Sequence, residues 1–218
     1  MKNRYKINIL DLDDIKNIIL AGGQATATYE VGKRLAAKGH DVTVYCSKYP
    51  GYVDRIDNGI RYVHIGVNTG NIKINNALFF LFAPITAKRI KEADVLLECF
   101  TAPISTLFSP VFTKIPVIAI PSMFNAPAFS RKYKLPFFLV ERIGIKFYKY
   151  ILPYSDIDSI KAKKLNPSIK FKIVAQGVDK KYLNIKKNKP KHILYLSRFD
   201  VAQKGIDLLI RAYAKVKN

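Results

Sequence analysis

Arg198 and Lys204 are the side chains of this 218-residue sequence whose type and placement most directly imply chemistry. They lie between Ile193–Leu196, a compact apolar run at strand length, and a segment whose apolar residues Ile206, Leu209, Ile210 and Tyr213 recur at i, i+3, i+4 and i+7. That spacing is one face of a helix. Ser197 to Asp200 form the polar turn, and Lys204-Gly205 leads into the helix. Two cations at the mouth of such a turn add their charge to the unsatisfied N–H groups and the positive end of the helix dipole, which makes a phosphate site. The competing reading is an ordinary βα unit with solvated cations. A glycine pair, Gly22-Gly23, follows the first apolar run and lacks the Cβ atoms that would keep a ligand off the backbone. Glu98 ends another apolar run, DVLLEC, at the strand end where open α/β sheets bind ligands.

The elements that would position these groups alternate along the chain. Lys6–Leu12 reads as a first strand ending in acids, Ala25 to about Lys38 as a helix burying Tyr29, Val31, Leu35 and Ala36, and Val42–Cys46 as the next strand. This is a parallel β-loop-α-β unit. Gly39-His40 ends the helix, and His40 reads as a structural residue there. Asn58-Gly59 predicts a hairpin joining Val53–Ile56 to Ile60–Ile65. A helix is expected over Asn75–Lys91 with Ala77, Leu78, Leu81 and Ile85 inward and Pro84 as a kink or break.

Asp94–Cys99 and Pro116–Ile120 read as buried parallel strands, with a helix from Thr101 to about Phe112 between them. Phe129–Pro153 interleaves aromatics with cations. Leu139, Ile143 and Phe147, with Val140 and Ile151, make one helical face, and Arg142, Lys146 and Lys149 lie on others. That suits either a basic amphipathic helix on an anionic membrane surface or a core helix with a solvated cationic face. Tyr154–Ser159 is expected as a short strand, with Ser159 capping a helix over Ile160–Leu165. Phe171–Val174 is the last strand of this part, and Lys180–Pro190 is rich in Lys and Asn without a core signal.

Composition narrows the function classes. With 49% hydrophobic and 12% aromatic residues the chain can bury a full core. Cys46 and Cys99 both sit in apolar runs and read as reduced, buried thiols. No C-x-x-C or clustered His points to a metal, so none is expected. The N-terminus lacks a signal-peptide pattern, and the longest apolar stretch, Ala77–Ile85, falls short of the roughly 20 residues a membrane span needs. The expected location is cytoplasmic, with any membrane contact peripheral. A formal charge of +21 draws the protein to polyanions. Lys far outnumbers Arg and no base-reading module is present, so nucleic acid is not an expected partner.

Several ordered motifs resemble family-four glycosyltransferases of the GT-B fold. SRFDVAQKGIDLLIRAYAKV is similar to the family's G-R…K-G-x-x-x-L-[IL]-x-A segment, with Ser197 where Gly is usual. GGQATATYEVGKRLAAKGHDVTVYCSKYPG resembles its Gly-Gly loop and G-H-x-V-x-V strand, and DVLLEC followed by KIPVIAI its paired-strand pattern. Ala175-Gln176-Gly177-Val178-Asp179 stands at its P-N-G-V-D turn, with Gly177 and Asp179 retained.

The resemblance implies a Rossmann-like α/β fold with a parallel sheet and flanking helices as the N-terminal GT-B domain, followed by an incomplete second Rossmann-like domain. The implied division is an acceptor-side domain over 1–183, a linker over 184–190 and the first βα unit of a donor-binding domain over 191–218. Arg198, Lys204, Gly22 and Gly23 would hold the diphosphate of a UDP- or GDP-linked sugar, a substrate rather than a cofactor. Glu98, Gly177 and Asp179 would face the cleft. Many relatives carry a His after the strand that ends here at Ile120; this sequence has Ser122 and Asn125, which can hydrogen-bond a sugar but do not replace imidazole as a base at neutral pH.

The function implied is a retaining, nucleotide-sugar-dependent transferase that moves a hexose to a lipid-linked or cell-surface glycan. The chain is expected to be a fragment or half-enzyme, with a possible second subunit completing the fold and little transfer activity of its own. The alternative is a non-catalytic membrane-associated or subunit-binding module derived from the same fold.

Overall fold

A computed structural model of the protein describes residues 4–18, 22–100, 108–122, 124–184, 192–197, 199 and 201–217. They fall into two compact units, Met1–Gln176 and Gly177–Asn218.

The first unit is built on β1 (Lys6–Leu10), whose residues alternate between two cores. Ile7 and Ile9 enter one core with Val42, Val44 and Cys46; Leu10 enters the other with Leu96 and Phe100. Strands buried on both faces favour parallel pairing with helices above and below. Accordingly β1 pairs in parallel with β2 (Asp41–Ser47) and with β5 (Val95–Phe100). With β3 (Arg55–Asp57), β4 (Ile60–Ile65), β6 (Val117–Pro121), β7 (Tyr150–Ile151) and β8 (Lys170–Phe171), the sheet runs β3-β4-β2-β1-β5-β6-β7-β8. All of its pairings are parallel except the β3–β4 hairpin. Asn58 and Gly59 turn that hairpin with φ of 48° and 79°, the positive pair a type I′ turn requires.

α1 (Gly23–Ala37) packs its flank of Tyr29, Leu35 and Ala36 on the first core. Its buried positions are Ala25, Thr28 and Gly32, while Val31, expected inward, is exposed. Gly32 sets this rotation: a Cβ there would lie 2.8 Å from Ile60 Cδ1, so the glycine lets the helix approach the sheet.

α2 (Ile72–Arg89) is capped by the Asn71 side chain, which accepts from the N–H groups of Lys73 and Ile74, and it continues through Pro84. It buries Asn75, Phe79, Ala83 and Ala87 rather than the expected face; Leu81 and Ile85 are exposed. A helix that is apolar nearly all round has no single stripe to read, and its small Ala83 and Ala87 side chains allow closer packing than Leu81 or Ile85 would.

Three other expectations are corrected. Of the helix expected from Thr101 to about Phe112, residues 101–107 lie outside the described residues, and Ser109–Val111 is a 3-10 turn. Phe129–Pro153 is broken by Pro136 into α3 (Ala126–Tyr133) and α4 (Phe137–Gly144), a 3-10 turn (Ile145–Phe147) and β7. Ile151 is therefore a buried strand residue and not part of a helical face with Leu139. The expected strand over Tyr154–Ser159 is displaced to β7, because Ser155 already caps α5 (Asp156–Leu165) by accepting from Asp158 N–H. β8 is shorter than Phe171–Val174, with Lys172 and Val174 continuing the bonding as N–H donors to Ile151 and Pro153.

In the second unit Lys180–Leu183, expected without structure, forms α6; Val201–Lys204 forms α7 and Ile206–Lys217 forms α8. Ile193–Leu196 is not a strand, and Ile193, Leu194 and Leu196 are exposed. A strand needs a neighbour for its N–H and C=O groups, and the described residues of this unit contain none.

The hairpin turn yields a direct test. A Cβ on Gly59 would sit 2.9 Å from Ala36 Cβ at a φ that side chains rarely adopt. Gly59→Val should lower stability by about 2–4 kcal/mol, read as a lower urea midpoint with unchanged slope. An unchanged midpoint would show that the hairpin does not hold α1.

Candidate functional site

β1 ends at the centre of the sheet, and its C-terminal edge collects polar side chains. Asp11 is fully buried there. The Thr28 hydroxyl and the Gln24 side chain of α1 both bond its carboxylate. Burial pushes the Asp11 carboxyl up to about 7 against those hydrogen bonds. Gln24 donates to Thr28 Oγ1 (3.3 Å) and Cys99 Sγ (3.2 Å) and accepts from the Tyr154 hydroxyl at 3.3 Å. A polar floor drawn from β1, α1, β5 and the β7–α5 loop thus lies at the first turn of α1.

Above this floor α1 begins without a side-chain cap and without a carboxylate in its first turn. Gly22 is its N-cap and Gly23 its first residue; both are exposed, and a Cβ on Gly23 would meet nothing within 4 Å. N–H groups left without a capping side chain at the end of a 15-residue helix favour an anion. Gly22 and Gly23 therefore lie at an open helix N-terminus, the helix beginning two residues before the expected Ala25.

Ser122 and Asn125 follow β6 and are exposed. The Ser122 hydroxyl donates to the Phe100 carbonyl at 2.5 Å, and Asn125 opens α3 without capping it by its side chain. Glu98 requires a correction. It is fully buried, with Ser109 Oγ donating at 2.7 Å and the Tyr148 hydroxyl at 2.5 Å. The strand's alternation turns Glu98 into the same core as Leu96 and Phe100, so it presents no surface to a cleft.

In the second unit Gly177 and Asp179 are exposed, and the Asp179 carbonyl accepts from Tyr182 N–H to start α6. Lys204 is exposed at the end of α7, two residues before α8 begins. Arg198 lies outside the described residues.

Sequence reasoning missed Asp11, Thr28 and Gln24, and also a buried charge cluster beside them. Asp14 receives Arg55 through both terminal nitrogens (2.7 and 2.6 Å), the Tyr49 hydroxyl (3.0 Å) and His64 Nε2 (3.0 Å). His64 Nδ1 meets Asp54 Oδ1 at 2.8 Å. Burial would raise the Asp14 carboxyl, but the hydrogen bonds from Arg55 and His64 outweigh it and hold it well below the usual carboxylate range. The available signal was the acidic end of the first strand, Asp11, Asp13 and Asp14, since three carboxylates closing an apolar strand need donors. Among the described residues no group of His, Cys, Asp and Glu could hold a metal ion, and no helix is long and apolar enough to cross a membrane.

A mostly parallel sheet flanked by helices, with an uncapped helix N-terminus at the C-terminal edge of its central strand, defines a Rossmann-like α/β class. Within that class the profile of Glycosyltransferase Family 4 matches residues 21–149, more than half of the chain, and the protein belongs to that family. No individual curated protein matches it.

Glu98 gives this subsection its test. Burial raises its carboxyl to about 7, above the roughly 4.3 of an unfolded chain. The native state therefore holds the extra proton between those values, and stability falls as pH rises through that window, by roughly 3 kcal/mol in all. Glu98→Gln keeps partners for Ser109 and Tyr148 and removes the titration. The variant should match the parent near pH 4 and exceed its stability near pH 8, measured by urea unfolding. Parallel pH profiles for the two proteins would refute the assignment.

Proposed function

We propose that this protein carries the acceptor-side domain of a retaining, nucleotide-sugar-dependent glycosyltransferase, which moves a hexose onto a lipid-linked or cell-surface glycan. The observation that carries the reading is the open N-terminus of α1 above the Asp11–Thr28–Gln24 floor. A pyrophosphate seated at Gly22 and Gly23 meets the N–H groups and dipole of a 15-residue helix. The buried carboxyl below would repel an anion if ionised; with its carboxyl pushed up to about 7, Asp11 is substantially neutral at neutral pH.

From the sequence, Arg198 and Lys204 are assigned to donor phosphate, and phosphate charge met by such cations and by helix N-termini needs no metal. Ser122 and Asn125, exposed beyond β6, are placed for hydrogen bonds to a sugar hydroxyl. A second reading, a subunit-binding module derived from the same fold, draws on α8, where Leu208, Ile210, Tyr213 and Val216 are exposed.

UDP and GDP binding tests the reading by titration calorimetry on the full chain. Gly23→Asp places a carboxylate in the first turn of α1, in open space, where it helps the helix and repels phosphate. It should fold as the parent does and weaken binding of the preferred nucleotide about ten-fold or more. Equal affinity in the variant would remove the phosphate site from α1. Failure of the parent to bind either nucleotide would favour the subunit-binding reading.

A further inference from the structure

The sheet of the first unit ends at β8, and that edge is open. Lys170, Lys172 and Val174 donate their N–H groups to the carbonyls of Lys149, Ile151 and Pro153 on the β7 side. Alternate residues of a strand turn their N–H and C=O groups to opposite sides. Those of Phe171 and Ile173 therefore point away from β7, and among the described residues nothing pairs with them. Every residue from Lys170 to Val174 is exposed. Such a row of unpaired backbone groups is a template for another strand.

The side chains of this edge also alternate. Phe171 and Ile173 fall on one face of the strand, where Lys163 of α5 lies 6.0 Å from the Phe171 ring. Lys170 and Lys172 fall on the other face. The surroundings carry one sign of charge. From Ile160 to Gln176 the charged side chains are Lys161, Lys163, Lys164, Lys170 and Lys172, without a single carboxylate. Lys161 and Lys163 donate to the carbonyls of Phe124 and Pro167. Lys164, Lys170 and Lys172 are exposed, and among the described residues none of the three has a carboxylate partner.

We propose that the β8 edge docks an acidic partner protein, which adds an extended segment of alternating apolar and acidic residues as a further strand. The partner's backbone pairs with the outward N–H and C=O groups of Phe171 and Ile173. Its apolar side chains lie beside those two, and its carboxylates lie beside Lys170 and Lys172. Charge complementarity selects this occupant. A second copy of the chain sets these lysines against their own kind, and like charges directly opposite destabilise a strand pair. A phosphate surface meets the lysines but leaves the backbone row unpaired. Docking at β8 is independent of the transfer reading and requires no activity.

The probe is a short synthetic peptide of alternating Glu and Val, titrated onto the full chain by calorimetry. It should bind, and a peptide of alternating Lys and Val should not. Bound acidic peptide should slow amide hydrogen exchange at Phe171 and Ile173. Ile173→Pro removes one outward donor while Lys172 and Val174 keep their bonds to β7. Proline is tolerated on an edge strand where its nitrogen faces solvent. This variant should fold as the parent does and weaken binding about ten-fold. Lys170→Gln with Lys172→Gln should weaken it about five-fold. Lys38→Gln with Lys88→Gln removes equal charge elsewhere and should leave it nearly unchanged.

A second probe leaves the protein unaltered. The acidic peptide with its central amides N-methylated keeps its charge and side chains but cannot pair as a strand, and it should lose most of its affinity. Equal binding of the methylated and plain peptides, or of Ile173→Pro and the parent, would overturn the proposal, because the lysines alone would then be the binder. Equal losses in the two lysine variants would assign binding to the +21 charge as a whole and overturn it too. So would a parent chain that does not bind the acidic peptide.

Discussion

The first unit depends on one buried carboxylate. Asp14 gathers Arg55 from the edge hairpin, Tyr49 from the loop after β2 and His64 from β4, all through charge-assisted or polar contacts inside the fold. The loop leaving β1 is thereby fastened to the β3–β4 hairpin at the edge of the sheet. Desolvation alone would make Asp14 costly, and only the bidentate guanidinium and the imidazole outweigh it. Removing Arg55 would leave the buried Asp14 charge without its cation, at a cost of about 3–5 kcal/mol.

The same physics separates two buried carboxylates that look alike in sequence. Asp14 is met by the Arg55 guanidinium and stays ionised; Glu98 is met by hydroxyl groups and is raised by burial to about 7. Asp11 resembles Glu98 in this respect but lies under an open helix end, where its charge state bears on what can bind above. Two such groups, Asp11 and Glu98, sit on neighbouring strands, β1 leading into one and β5 carrying the other. The C-terminal edge of the sheet's centre is thus polar.

The parallel sheet was legible because its strands are short runs rich in β-branched and apolar residues, and the hairpin because Asn58-Gly59 specifies one turn. Gly22-Gly23 marked a place where backbone is bare, but not that α1 begins there. Helix faces were harder. In α2 nearly every position is apolar, so spacing could not choose between Leu81 and Phe79, and the decision fell to the small residues that admit close packing. Glu98 was misread because a charged residue at a strand end suggests an outward side chain, whereas the two-residue alternation of β5 sends it inward with Leu96. Asp11, Thr28 and Gln24 belong to elements separated by a loop, and nothing in their spacing announces that a hydroxyl will meet a carboxyl. In the second unit, Ile193–Leu196 has the composition of a strand, but composition does not supply a pairing partner.

Cys46 and Cys99, the only thiols in the sequence, occupy the two strands that flank β1, and both are buried with their thiols pushed well up by burial. Because only an ionised, accessible sulfur reacts, an alkylating reagent reaches either one through a local opening of the sheet. The molecule therefore carries a pair of internal clocks, one on each side of its central strand. The rate at Cys46 reports parting toward the hairpin edge. The rate at Cys99, which accepts a hydrogen bond from Gln24 in the first turn of α1, reports how often the floor beneath that helix comes undone.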